Sequence, residues 1–190
     1  MRWLYDYYFL AVWIAFLVYW QIKARDTKTT QRLEPAGSRI ARAIVFLVVV
    51  VLLSWPDIPI AWLYWHFLPL SAWAFFLGAT ITTAGLLFAV WARVHLGRNW
   101  SRSVTIKEDH QLIVTGPYAI ARHPIYTGIL TGFLGSAIAT TQVRGLIAFA
   151  LVFVILWFKL RMEEQWMRMQ FGDSYAAYSQ RVAALVPFLV

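Results

Sequence analysis

The sequence contains no cysteine. That excludes disulfides, thiolate metal sites, a cysteine nucleophile and lipidation on the chain's own thiols. Charge is scarce too: 14% of the 190 residues are charged, where a soluble domain carries about 25%. Acidic residues are the rarer sign, with 9 Asp and Glu against 17 Lys and Arg. No GxGxxG or phosphate loop, no HExxH and no Gly-x-Ser-x-Gly elbow is found. Four histidines, His66, His95, His110 and His123, are too few and too scattered for a histidine-rich di-iron site. No metal is expected, and a site here must work by positioning and electrostatics.

What is abundant is apolar: 61% of residues are hydrophobic and 17% aromatic. With this length, the composition predicts a single all-α integral membrane protein. The net charge of +8 invites a nucleic-acid reading, but the basic residues sit in short segments beside apolar runs. That distribution is a topology signal and an attraction to anionic headgroups, and no basic-aromatic binding module is present.

A helix of about 20 apolar residues crosses the hydrocarbon core. Residues 3–22 fit, with Trp3, Tyr5, Tyr7 and Tyr8 at one end and Tyr19 and Trp20 at the other as an aromatic belt. Asp6 stands where a signal peptide is basic, so this reads as a retained first span. A second span is expected at 40–55, short but lengthened by snorkelling of Arg39 and Arg42. Residues 58–70, bracketed by prolines and rich in Trp and Tyr, read as an interfacial turn. A third span follows at 70–92, a fourth at 125–141 and a fifth at 143–162, the last two forming a tight hairpin. Gly128, Gly132, Gly135 and Ser136 allow close approach of a neighbouring helix, a packing role. Of the Lys and Arg, six fall in 23–42, five in 93–122 and four from 159 onward, against Arg2 and Arg144 elsewhere. Five spans with the three basic segments in the cytoplasm satisfy that bias. The expected division is 1–92, three membrane helices, and 93–190, a region holding the chemistry.

Two polar clusters interrupt the apolar sequence: 110–128 (HQLIVTGPYAIARHPIYTG) and 159–178 (KLRMEEQWMRMQFGDSYAAY). They are expected to meet in one site. Arg122-His123-Pro124 reads as a helix start with proline at the first position. Free N–H groups there attract an anion such as a ligand carboxylate; equally, Arg122 is a topology anchor and His123 a cap. Glu163-Glu164 just after the fifth span opposes a helix dipole, so either the helix continues or the pair has work. Lys159 and Glu163, four apart, share a helix face. Gly172 reads as a helix stop, with Asp173 or Ser174 capping the next turn. Residues 186–189 read as a tail along the interface.

Taken together, His110-x-Leu112-Ile113-x-x-Gly116-Pro117-Tyr118, Arg122-His123-Pro124-x-Tyr126-x-Gly128 and Glu163-Glu164 with Phe171-Gly172-x-x-Tyr175-x-x-Tyr178 resemble the isoprenylcysteine carboxyl methyltransferase family. The phospholipid methyltransferases look similar over the same region, about 93–189. The resemblance implies S-adenosylmethionine as cofactor at the cytoplasmic face. It assigns His110, Gln111, Leu112 and Ile113 to the cofactor pocket, with Tyr118, with His123, Pro124, Ile125 and Tyr126, and with Glu163. The family has an arginine four residues before that glutamate, meeting the substrate carboxylate; here Lys159 stands there, with Arg161 two residues on. Lysine keeps the charge and loses the bidentate fork. Lys159, Arg161 and Glu164 are the expected acceptor-side residues, and no side chain is assigned as acid or base.

The function this resemblance implies is methyl transfer to a lipophilic acceptor, a prenylcysteine-type carboxylate in the first place, with a phospholipid amine as the alternative. Rival readings are a sterol-type membrane reductase using NADPH and a non-enzymatic lipid-binding scaffold.

Overall fold

A computed structural model describes residues 2–24, 36–55, 57–97 and 112–186, with side chains from residue 7 onward. Five long helices carry the fold: α1 (Arg2–Lys23), α2 (Ala36–Ser54), α3 (Ala72–Leu96), α4 (Pro124–Thr140) and α5 (Val143–Arg181). No strand occurs among the described residues. The helices α2, α3 and α5 are long and apolar enough to cross a membrane, and the apolar parts of α1 and α4 are shorter.

The centre of the bundle is the α3–α4 pair. In lipid, helices associate through close van der Waals packing rather than a hydrophobic driving force, and small residues make that packing possible. A Cβ on Gly85 would fall 2.7 Å from the Gly128 carbonyl oxygen, and one on Gly135 would fall 2.5 Å from the Thr82 nitrogen. Thr82 Oγ1 donates to the Gly132 carbonyl at 3.1 Å, and Ser136 Oγ to the same carbonyl at 2.9 Å. The glycines therefore do what their spacing predicts.

Helix α1 docks on this pair through polar ends of aromatic side chains. Trp13 Nε1 donates to Ser136 Oγ at 3.1 Å, and Tyr8 Oη lies 2.5 Å from Thr83 Oγ1. Helix α2 packs on α5, and its apolar face is largely exposed, as a lipid-facing helix is. It starts at Ala36, so helix rather than side-chain snorkelling supplies the length the sequence seemed to lack.

At one end of the bundle the turn from 58 to 70 folds as expected, around a 3-10 segment at Ala61–Tyr64. It meets the α4–α5 hairpin through Phe67 N to Thr141 O (2.9 Å) and Val143 N to Trp65 O (3.0 Å). Arg144 ties the same end together. It donates to the Trp55 carbonyl beyond the last turn of α2 at 3.2 Å and lies 4.8 Å from the Tyr64 ring centroid.

At the opposite end, α3 runs a turn beyond its expected limit. This places Arg93, 3% exposed, where it donates to the carbonyls of Gly97 (2.8 Å) and Lys23 (2.7 Å). A cation at two helix C-termini complements their dipoles. Helix α5 continues well past residue 162, and the break at Gly172 is a kink (φ +49°) with helix resuming after it. The unbroken stretch before the kink, 143–171, is ~43 Å long at 1.5 Å per residue, well beyond a hydrocarbon core of ~30 Å. The glutamate pair therefore rides on helix that extends beyond its span.

Candidate active site

The two polar clusters meet at the end of the bundle where α3 finishes, α4 begins and α5 leaves its span. Proline at the first position starts α4 at Pro124, with His123 as the residue before it. The imidazole of His123, nearly buried, lies between the two glutamates: Nδ1 is 3.5 Å from Glu163 Oε2 and Nε2 is 3.5 Å from Glu164 Oε1. Its Nε2 is buried and has no hydrogen-bond partner among the described residues. Burial pushes this imidazole towards the neutral form, but the two carboxylates overrule it and hold its pKa above the usual value.

One turn on, Tyr126 Oη donates to Glu163 Oε1 at 2.6 Å, and its ring stacks on His123 with centroids 5.4 Å apart. Lys159 Nζ lies 3.8 Å from Glu163 Oε1 and 5.3 Å from the Tyr126 ring centroid. Arg42 of α2 stands within electrostatic reach of the same phenol. Glu164 has a second partner besides the imidazole. Arg122 Nε and Nη2 hold its Oε1 at 2.8 and 2.7 Å, and Arg122 Nη1 donates to the carbonyls of Ser179 (2.8 Å) and Val182.

Behind this cluster Tyr118 is buried, its carbonyl accepting from Tyr178 Oη at 2.6 Å. Burial first, then the Glu163 charge, pushes the Tyr118 phenol pKa upward, so it stays a neutral donor. Tyr118 sits in a 3-10 turn, Gly116–Ala119, against which the ring of His95 stacks. Gly116 has φ +60°, a conformation that favours glycine, and a Cβ there would fall 2.8 Å from that ring, which would have to shift.

Most of the residues singled out from the sequence therefore lie together: Tyr118, His123, Pro124, Ile125, Tyr126, Lys159, Glu163 and Glu164. Ile113 packs against the same apolar cluster, which includes Tyr118, Ile125 and Tyr126, and Leu112 adjoins it in the chain. His110 and Gln111 lie outside the described residues. Arg161 does not join. It is exposed, because two residues after Lys159 on a helix is the opposite side. The N–H groups expected to draw a ligand anion are partly taken: Arg122 N donates to Ala183 O at 2.9 Å and His123 N to Ala184 O at 3.0 Å. Of the expected interfacial tail 186–189, residues 187–189 lie outside the described residues and Val186 is exposed, while 182–185 turn inward onto the start of α4. The clamp by Arg122, the inward turn of 182–185 and the approach of Arg42 were missed from sequence. Only the Tyr175–Tyr178 spacing hinted that a second layer stood behind the glutamates.

Carboxylate, imidazole and ammonium groups thus stand side by side, largely shielded from water. Among the described residues no group of three or more potential metal ligands occurs. Fold and cluster define the class: a helical membrane protein with a charged site at one end of a glycine-packed helix pair. A family model described as phospholipid methyltransferase matches residues 73–174, more than half of the chain. The chain belongs to that family.

Named relatives are of two kinds. The chain is 34% identical over 123 residues to protein-S-isoprenylcysteine O-methyltransferase B of Arabidopsis thaliana, covering 62% of this chain and 61% of the relative. It is also 30% identical over 111 residues to the cobalt-zinc-cadmium resistance protein CzcN of Cupriavidus metallidurans, covering 57% of this chain and 50% of the relative. Among solved structures, a eukaryotic intramembrane Ras methyltransferase, an isoprenylcysteine carboxyl methyltransferase, shares the fold with TM-score 0.56 and 22% identity. That match covers 80% of this chain and 53% of the other. The chain thus spans between half and two thirds of the length of these proteins.

Proposed function

We propose that the protein is an integral membrane methyltransferase that uses S-adenosylmethionine and acts on a lipophilic carboxylate of the prenylcysteine type. The observation that carries this reading is the constellation of Glu163, Tyr126, His123 and Lys159 at the end of the α3–α4 pair, in a chain of a methyltransferase family. The region 93–190 supplies the chemistry and 1–92 the membrane scaffold. The distribution of Lys and Arg supports a cytoplasmic location for the site.

The residues fit such a donor. The buried Nε2 of His123, 3.5 Å from Glu164 Oε1 and without a hydrogen bond among the described residues, has bonding capacity left for a ligand atom, and Glu163 complements a cationic centre. His110, Gln111, Leu112, Ile113 and Tyr118 join His123, Pro124, Ile125, Tyr126 and Glu163 in holding it. When bound, S-adenosylmethionine supplies an electrophilic methyl group on a sulfonium sulfur. A carboxylate acceptor is already ionised at neutral pH, so no side chain has to remove a proton from it. Lys159 orients that carboxylate, and the shielded cluster keeps water away while charges are neutralised. Alignment of two bound reactants supplies about 7–11 kcal/mol in favourable cases. Glu164, held by Arg122, belongs to the framework.

A phospholipid amine acceptor is the second reading. The description of the matched family favours it, as does the engagement of Lys159 with Glu163 where an arginine is expected. The matched family and the named methyltransferase relatives weigh against the reductase and scaffold readings.

Incubating the purified protein with methyl-labelled S-adenosylmethionine and either N-acetyl-S-farnesylcysteine or mixed phospholipids distinguishes the acceptors. Label on the farnesylcysteine that mild base releases as methanol supports the carboxylate. Base-stable label in lipid supports the amine, and no transfer to either overturns both.

A further inference from the structure

The two adjacent glutamates present the same chemistry to the same imidazole, and nothing in their own types says which one serves a ligand. Their surroundings separate them. Glu164 is 8% exposed and takes two donors from Arg122, while Glu163 takes Tyr126 and faces Lys159. Arg122 spends its third donor on the carbonyls of Ser179 and Val182, at the end of the last helical stretch. From there 182–185 lie along the start of α4. Ala183 and Ala184 accept from the backbone of Arg122 and His123, Thr127 Oγ1 donates to Leu185 O at 2.6 Å, and Leu185 is buried beside Tyr126 and Leu160.

We propose that Arg122 is a positioning residue that gives the two glutamates separate tasks and fastens the C-terminal strap 182–185, which in turn fixes the backbone of His123. The planar guanidinium is what makes this possible. Its donors point along fixed directions to a carboxylate on one side and to main-chain carbonyls on the other, a geometry an ammonium does not reproduce. With the carboxylate of Glu164 engaged, the imidazole is left balanced against Glu163, and the strap carbonyls hold Arg122 at both its backbone and its side chain and His123 at its backbone. Arg122 itself need touch neither donor nor acceptor. The proposal goes beyond the methyltransferase reading, because the strap and the glutamate division exist whatever ligand the site takes.

The test uses the full chain in detergent, with hydrogen exchange at the amides of Arg122 and His123 as the first readout and donor affinity as the second. Arg122→Gln and Arg122→Lys should both speed exchange at the His123 amide tenfold or more, with the helical content and monodispersity of the parent. Glu164→Gln, which leaves the strap carbonyls in place, should speed it less than threefold. Donor affinity should follow the same order, with no rescue by lysine. Thr127→Val removes one strap contact without touching any charge and should speed His123 exchange in the same direction, which keeps the question answerable if Arg122→Gln does not fold. Protection at His123 unchanged in Arg122→Lys and Thr127→Val, or lost equally in Glu164→Gln, overturns the proposal. Absence of donor binding in the parent would sink the methyltransferase reading alone, since the exchange result stands by itself.

Discussion

Tyr126 on α4 and Glu163 on α5 are joined by a 2.6 Å hydrogen bond, the phenol donating to a carboxylate 37 positions away. It joins the two polar clusters and crosses the interface of the helical hairpin. A hydrogen bond to a charged group contributes about 1.5–3 kcal/mol. Tyr126→Phe keeps the ring stacked on His123 and removes only that bond. It should lower the melting temperature in detergent and weaken donor binding by roughly a factor of ten; unchanged values on both measures would show the bond to be incidental.

The imidazole of His123 has a folded-state pKa above its unfolded value of about 6.5, because Glu163 and Glu164 favour the cation. A group with a raised pKa lends stability that is fully present below the unfolded value and is lost as pH rises through the folded one. Melting temperature should therefore fall from pH 6 towards pH 9. In His123→Gln that fall should flatten. A parallel fall in the variant would assign the effect to other groups.

The glycine contacts predict position-dependent costs. Overpacking a close helix contact costs about 1–3 kcal/mol, and Gly85→Ala or Gly135→Ala forces a methyl into the backbone of the facing helix. Gly37→Ala in α2 meets nothing within 4 Å. Thermal unfolding should show a marked loss for the first two and none for the third.

Gly172 tests backbone strain alone. It has φ +49° with open space around it, so Gly172→Ala suffers only the left-handed conformation, about 1–3 kcal/mol. The last helical stretch should loosen, and the bond from Tyr178 to the Tyr118 carbonyl should weaken with it. Faster proteolysis after residue 172, with the spans intact, is the expected outcome.

Much of this was legible in the sequence. Apolar runs gave the five helices, Pro124 marked the start of α4, and the glycines of 128–135 announced a close neighbour. The glutamate pair had two readings, a continuing helix or a functional pair: α5 does run on, and it carries Glu163 and Glu164 to either side of the His123 imidazole. Arg161 was separable from Lys159 by helical period alone. The extension of α3 was hidden because a helix emerging from the membrane acquires polar residues and looks like loop. The clamp of Arg122 on Ser179 and Val182 spans 57 and 60 positions and ends on carbonyls, which every residue has. No side-chain pattern encodes such a contact.

The most direct measurement is calorimetric titration of S-adenosylmethionine into the purified protein and into Glu163→Gln and His123→Ala. One donor molecule should bind per chain, and each substitution should weaken it at least tenfold while helical content is kept. Binding that both variants retain unchanged, or no binding by the parent at millimolar donor, would contradict a single site built where the two polar clusters meet.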